Sequence, residues 1–264
     1  RDEGAECLDR VADNNRQHNW IRGACTLGMM PANGMLYVPP DQCFCSPGAK
    51  LLGFTALTAA GVSKGGAVPD DLRLSKGPAY GQVMATEARS QSKGFGWPTY
   101  RADAARRGTT PTPVSLPLED AWDTQLGGRL TAPVAWQDTV YVAQQDRNIL
   151  HALDIESGRS RWSFTTRAGI DSPPTIHQGH VLLGSKDGRV YCIRAADGAL
   201  AWSFLAAPYD RRICALERLE SAWPVHGSVL VTNGLAYVAA GRSTYLDGGI
   251  SLWALDIPTG RIVH

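Results

Sequence analysis

The stretch WDTQLGGRLTAPVAWQDTVYVAQQDRNILHALDIESGRSR (122–161) runs directly into WSFTTRAGIDSPPTIHQGHVLLGSKDGRVYCIRAADGALA (162–201), and Trp202 opens the next unit. Trp122, Trp162 and Trp202 therefore stand forty residues apart, twice over. Laid one on the other without a gap, the units put Ala132-Pro133-Val134 over Ser172-Pro173-Pro174 and Tyr141-Val142-Ala143 over Val181-Leu182-Leu183. They also put Leu150-His151-Ala152-Leu153 over Val190-Tyr191-Cys192-Ile193, and Gly158 over Gly198. Within a unit, Val140 and Val142 share one face, as do Leu150 and Ala152, which is the period of two of a half-buried strand. A fixed period of this length in units built of short strands marks an all-β repeat array of the β-propeller kind.

Working outward, Asp154-Ile-Glu-Ser-Gly158, Ala196-Asp197-Gly198 and Asp256-Ile-Pro-Thr-Gly260 each end a strand and turn the chain back, with glycine supplying the positive φ of a tight turn. The third unit is longer: Trp202 precedes its glycine by fifty-eight positions, against thirty-six in the other two. Most of the excess lies in Pro208–Ala222 and the rest in Arg242–Leu246, and long loops on a repeat scaffold are where binding residues sit. Upstream, Asn33-Gly34, Met35–Val38 and Leu52–Leu57 read as a degenerate copy, with Ala56 matching Ala152, Cys192 and Ala254. Residues 1–60 are thus expected to be a degenerate blade with a cysteine-rich hairpin, 61–118 a linker or excursion, and 119–264 repeats. The chain stops at Ile262-Val263-His264, where the next tryptophan is due, so the reading is a fragment cut in mid-repeat from a longer protein, a partial ring. A partial ring leaves sheet edges open and is expected to self-associate unless a strand from 61–118 covers one.

Hydrophobic content of 44%, charge content of 19% and a net charge of +1 describe a folded chain with no field to attract nucleic acid or an anionic membrane. No apolar run is long enough for a transmembrane helix. Gly61-x-Ser63-x-Gly65 and Ser90-x-x-Lys93 match acylating-serine patterns, but neither has the strand-turn-helix context that such chemistry needs. No catalytic residue is assigned.

The recurring strand, Leu-Asp-x-x-x-Gly turn, Trp and Ser-Pro resembles the pyrroloquinoline-quinone-type, or quinoprotein-like, propeller repeat. The match is good over 119–264 and moderate over 31–57, and Trp97-Pro98-Thr99-Tyr100-Arg101-x-Asp103 resembles the entry segment of such propellers. Trp20-Ile-Arg-Gly-x-Cys25, Pro31-Ala-Asn-Gly34, Tyr37-x-Pro39-Pro40 and Cys43-x-Cys45 are similar to large secreted bacterial propeller proteins. The resemblance implies four-stranded blades in a larger ring of eight, Trp122, Trp162 and Trp202 as blade-docking residues, and a periplasmic or otherwise exported location. It offers two functional templates, a quinone-dependent alcohol or sugar dehydrogenase and a cofactor-free assembly scaffold.

The dehydrogenases hold pyrroloquinoline quinone with Ca²⁺, the alcohol-oxidising type against a vicinal disulfide. This chain has no Cys-Cys pair and no recognisable set of calcium carboxylates. The expected function is therefore a non-catalytic scaffold or binding module with no cofactor and no metal, and the alternative is a quinone dehydrogenase whose other ligands lie elsewhere in its parent chain. Partners are expected to be a protein or small polar ligand at the loops, together with the rest of that chain; a glycan is the third reading. Trp223, His226, Arg242 and Asp247, in the long loops, are the candidate ligand-binding groups. In an exported protein Cys25 is expected to pair with Cys43 or Cys45. A zinc site formed by these three thiolates with a histidine such as His18 is the alternative, and free buried thiols the third. Cys192 reads as a small core residue. Non-reducing mass mapping of protein made under oxidising conditions is expected to join Cys25 to Cys43 or Cys45 and to leave Cys192 unmodified; co-purifying stoichiometric zinc would replace the disulfide reading.

Overall fold

The structure, a computed structural model, describes residues 4–8, 11–12, 15–18, 20–40, 53–58, 66–82, 96–114, 116–215 and 218–264. The chain begins with an antiparallel pair, β1 (Ala5–Cys7) and β2 (Arg16–His18). A three-stranded sheet follows: β3 (Met30–Ala32), β4 (Met35–Val38) and β5 (Thr55–Thr58). Its small core gathers Ala5, Ile21 and Val38. After β6 (Leu74–Lys76) come two meanders. Sheet I holds β7 (Val134–Trp136), β8 (Thr139–Gln144), β9 (Ile149–Asp154) and β10 (Ser160–Thr165). Sheet II holds β11 (Thr175–His177), β12 (His180–Gly184), β13 (Arg189–Arg194) and β14 (Leu200–Leu205). A hairpin, β15 (Arg212–Ala215) and β16 (Arg218–Ser221), precedes sheet III, which holds β17 (Leu230–Thr232), β18 (Leu235–Ala240) and β19 (Ser251–Asp256). Residues 261–264 turn back along β19, with Val263 N donating to Ala254 O at 2.8 Å. The fold is an all-β propeller arrangement, as expected.

The core lies between sheets. Val134, Tyr141, Ala143, Leu150 and Ala152 of sheet I bury against Ile176, Val181, Leu183, Tyr191 and Ile193 of sheet II. Leu182, Val190, Cys192, Trp202 and Phe204, from the other face of sheet II, bury against Ala236, Val238, Ala240 and Leu255 of sheet III. Sheet II thus spends both side-chain faces on its neighbours, and its strands β12 and β13 accordingly read as continuous apolar runs rather than a clean alternation.

The gapless superposition needs one correction. Tyr141 pairs across to Ala152, whereas it is Leu182, not Val181, that pairs with Cys192. The first two strands of sheet II are therefore displaced forty-one residues from those of sheet I, and the last two strands forty. One extra residue enters before β11, and one is lost from the turn between β12 and β13, which closes at Gly188 (φ 82°) where sheet I uses Asn148 (φ 61°). A slip of one residue exchanges the two faces of a strand, so the compensation keeps both faces apolar. The small residue at Ala56, Ala152, Cys192 or Ala254 is opposed by Tyr37, Tyr141, Leu182 or Tyr237 in its sheet, as the alignment of those four positions requires.

The three tryptophans make one contact three times. Trp122 Nε1 donates to Ile155 O (2.8 Å), Trp162 Nε1 to Ala195 O (2.9 Å) and Trp202 Nε1 to Ile257 O (2.8 Å). Each ring also lies on the glycine of the following turn: a Cβ at Gly158, Gly198 or Gly260 would stand 2.5, 2.7 or 2.7 Å from it. These turns mark one end of the sheets. At the opposite end lie the β8–β9, β12–β13 and β18–β19 connections and the long links between sheets, which is where the third unit's extra length is placed.

Part of the 61–118 excursion belongs to the sheets. β6 adds antiparallel to the outer edge of β14, pairing Leu74 with Phe204, Ser75 with Ser203 and Lys76 with Trp202. Arg73, buried beside it, donates from Nη1 to Leu205 O (3.0 Å) and Ala207 O (2.8 Å) and lies 4.8 Å over the Trp253 ring. Further along, Trp97 pairs in both directions with Ala135 of β7, and Thr99 Oγ1 meets Thr175 Oγ1 at 2.8 Å. Since Thr175 donates to Val229 O, Thr99 is the donor in that pair. The Trp97–Asp103 segment thus links the inner strands of sheets I and II to the start of sheet III. Both acylating-serine patterns lie outside the described residues.

Trp202 is 0% exposed, whereas Trp162 is half-buried. Trp202→Ala is expected to cost about 3–5 kcal/mol, the range for truncating a core aromatic, and Trp162→Ala less. Gly198→Ala, which forces a Cβ onto Trp162 at φ 75°, is expected to cost more than about 1 kcal/mol. Urea midpoints check all three; a silent Gly198→Ala would contradict the contact.

Candidate functional site

The end of the sheets opposite the tryptophan turns carries a chain of ionisable groups drawn from separate elements. Asp171, in the β10–β11 link, meets His226 Nδ1 at 2.6 Å and Lys186 Nζ at 3.3 Å. Lys186, in the β12–β13 turn, is also 3.7 Å from Glu220 Oε2. Glu220, on β16 and 4% exposed, accepts from Arg242 through its other oxygen. Arg242 follows β18 and also reaches Ser221 O at 3.4 Å, while its buried Nε has no partner among the described residues. Backbone bonds anchor the same groups, with Lys186 N donating to Gly169 O and Ser221 N to Lys186 O.

The electrostatics follow from this arrangement. Burial works against the Asp171 carboxylate, but the His226 hydrogen bond and the Lys186 charge outweigh it and hold its pKa below the ordinary value. On the far side of the β15–β16 hairpin, Arg218 Nη1 donates to Asp146 O at 2.7 Å, and its Nη2 lies 3.4 Å from the Asp146 carboxylate. Arg129 bonds that carboxylate too and lowers its pKa. Below the hairpin, Arg167, Gly169, Lys186, Arg218 and Leu219 line a cleft of about 190 Å³.

The residues singled out from sequence divide between two clusters. His226 and Arg242 enter the charge chain. Trp223 and Asp247 form a second group: Trp223 Nε1 donates to Asp247 O at 3.0 Å, and Arg211 pairs with the Asp247 carboxylate. Trp223 is 3% exposed, its ring packs 5.3 Å from Tyr209 and Arg211 lies 5.2 Å over it, so it belongs to the core of buried residues beside sheets II and III. Asp171, Lys186 and Glu220 were not singled out. Lys186 reads from sequence only as part of a Lys-Asp-Gly turn, and nothing local in Asp171 or Glu220 reports partners drawn from distant elements. Cys192 is fully buried and its thiol is pushed well up by desolvation. Cys25 is exposed, with Arg22 Nη2 donating to its Sγ at 3.4 Å. Its expected partners Cys43 and Cys45 lie outside the described residues. His18 packs edge-on to Trp20 at 5.7 Å.

A bound quinone would need an open aromatic face and unneutralised oxygen donors for its cation. At this end Trp223 is packed, and Asp171, Glu220 and Asp247 are each paired with a cation. As they are partnered, these four groups do not fit the quinone and its cation.

Residues 118–217 match the family described as outer membrane protein assembly factor BamB. The Yersinia pestis BamB is 26% identical over 136 residues, 47% of this chain and 32% of its own length. The DNA damage-responsive serine/threonine-protein kinase RqkA of Deinococcus radiodurans is 34% identical over 137 residues, 50% of this chain and 20% of its own. The dehydrogenase subunit of the quinone alcohol dehydrogenase of Komagataeibacter europaeus is 24% identical over 160 residues, 55% and 21% of the two chains. The solved quinohemoprotein alcohol dehydrogenase of Comamonas testosteroni superposes with a TM-score of 0.50 at 20% identity, over 74% of this chain and 28% of that one, and shows the fold. The chain spans between about a fifth and a third of these relatives' lengths. Its units are quinoprotein-like propeller repeats. That repeat occurs in an assembly factor, a kinase and a dehydrogenase, so it does not by itself select an activity.

Glu220→Gln leaves Lys186 and Arg242 facing an uncharged buried group and is expected to cost about 3–5 kcal/mol, the range for breaking a buried pair. The Asp171 pKa is depressed in the fold, so its contribution is complete above the ordinary value of 3.8 and is lost as pH falls through the folded value. Asp171→Asn is expected to flatten stability over that acid window in urea titrations run at successive pH values.

Proposed function

We propose that this chain is a non-catalytic, binding β-propeller module of an exported bacterial protein, and that the end of the sheets carrying the charge chain receives a protein or polar ligand. The observation that carries this reading is the run His226–Asp171–Lys186–Glu220–Arg242. It commits the titratable groups at that end to one another and fixes the β15–β16 hairpin as a ledge. On and beside the ledge stand Leu219 (59% exposed), Tyr209, Tyr245 (78% exposed), Arg212 and Arg218. Exposed aromatics and arginines on a rigid support suit recognition, since little conformational freedom is lost on binding. The similarity to proteins named as outer membrane assembly factors supports both the scaffold reading and the exported location. We take Trp122, Trp162 and Trp202 as the residues that couple neighbouring blades, and the rest of a longer chain as one partner.

The second reading, a dehydrogenase using pyrroloquinoline quinone with Ca²⁺, has the similarity to the Komagataeibacter enzyme in its favour and the packed Trp223 against it. Titration with pyrroloquinoline quinone and Ca²⁺ separates the two. The expected outcome is no saturable change in tryptophan fluorescence and no dye-linked oxidation of alcohols or sugars. Micromolar or tighter binding that disappears in Arg242→Ala would overturn the scaffold reading.

A further inference from the structure

β10 and β14 are the same strand of successive units, Ser160-Arg-Trp-Ser-Phe-Thr165 and Leu200-Ala-Trp-Ser-Phe-Leu205, but their outer edges differ. The edge of β14 is filled by β6: Leu205 N donates to Arg73 O at 2.9 Å, Gly77 N donates to Ala201 O at 2.8 Å, and Ser75 faces Ser203. Under that cover Trp202 and Phe204 are buried, and Leu74 closes over Gly260. β10 pairs with β9 on one side and, among the described residues, with nothing on the other. Its Trp162 and Phe164 are only half-buried. By the forty-residue equivalence, the backbone groups of Arg161, Ser163 and Thr165 are those aimed outward. The edge thus offers both components of strand addition, a row of unpaired amides and carbonyls and an apolar side-chain surface beside it.

We propose that the β10 edge is a docking site for an extended segment of a partner polypeptide, added antiparallel as β6 is added to β14, with an apolar residue opposite Phe164. The chain itself fixes the register: that residue takes the place of Leu74 and covers Gly198 as Leu74 covers Gly260. The surface is separate from the loop-end ledge and does not depend on the reading given for it. Arg161, paired with Asp138 (2.8 Å) and Asp154 (2.6 Å), is drawn to its own sheet and away from the edge.

The test uses the whole chain and a synthetic peptide of residues 66–82 as the strand probe, read by hydrogen exchange and by anisotropy of the labelled peptide. The expected result is saturable binding in which the Ser163 and Thr165 amides exchange at least about tenfold more slowly, with Ser203 and Leu205 unchanged. Ser163→Pro, which removes an outward donor on an edge strand, is expected to abolish binding with the thermal midpoint retained. Ser203→Pro is expected to lower the midpoint, because it breaks an occupied ladder. Phe164→Ala gives a second route, weakening the peptide without touching the backbone. Absence of saturable binding would overturn the proposal. So would Ser163 and Thr165 amides already protected in the free chain, whether by the chain's own residues or by a second copy seen as a concentration-dependent dimer.

Discussion

The arrangement depends on an indole resting on a backbone that has no side chain. Trp122, Trp162 and Trp202 each lie against the glycine of the following turn, at φ between 66° and 75°, and donate to the carbonyl three positions before it. Two requirements meet at one residue: the turn needs a left-handed conformation, and the ring needs the space a Cβ would take. Either alone would favour glycine, and together they leave no alternative. The contact also fixes the separation between a strand near its start and the neighbouring sheet's last turn. That sets the period at one end of the structure and leaves the other end free to grow.

This asymmetry explains what the sequence discloses. The forty-residue period was legible because tryptophan and glycine are rare enough to mark phase and the contact forbids drift at their end. The one-residue shift of β11 and β12 was not, since an insertion before Thr175 and a deletion near Gly188 cancel in the count. β6 was hidden for another reason. Leu74-Ser75-Lys76 carries no period of its own, and its extended state is imposed by the amides of β14. Sequence alternation reports a strand that organises its own faces, not one recruited to an edge.

The candidate site was half legible. His226 and Arg242 stand in loops long enough to attract attention, whereas Asp171 and Lys186 come from connections of ordinary length and Glu220 from a strand within the long insertion, and all three acquire meaning only when two sheets and a hairpin converge. An ion-pair chain buried at its Glu220 end gives little net stability, because desolvating the charges there offsets most of the attraction. Its effect is positional. A hairpin with few apolar anchors is held at a defined place because Glu220 cannot leave without stranding two cations.

Trp162 and Trp202 finally separate what a residue is from what its surroundings make of it. Both sit in a Trp-Ser-Phe strand, both donate to a turn carbonyl at nearly the same distance, and both cover a glycine. One is wholly buried and the other is not, and β6 lies beside only one of them. Burial of the indole is therefore set by the strand's outer edge rather than by the repeat, which determines only the contact inward. A repeat fold built this way can keep every inter-sheet contact constant while each blade's outer edge is closed, left open or given to another chain. The evolutionary freedom of the scaffold lies at its edges and at its loop end, not in its period.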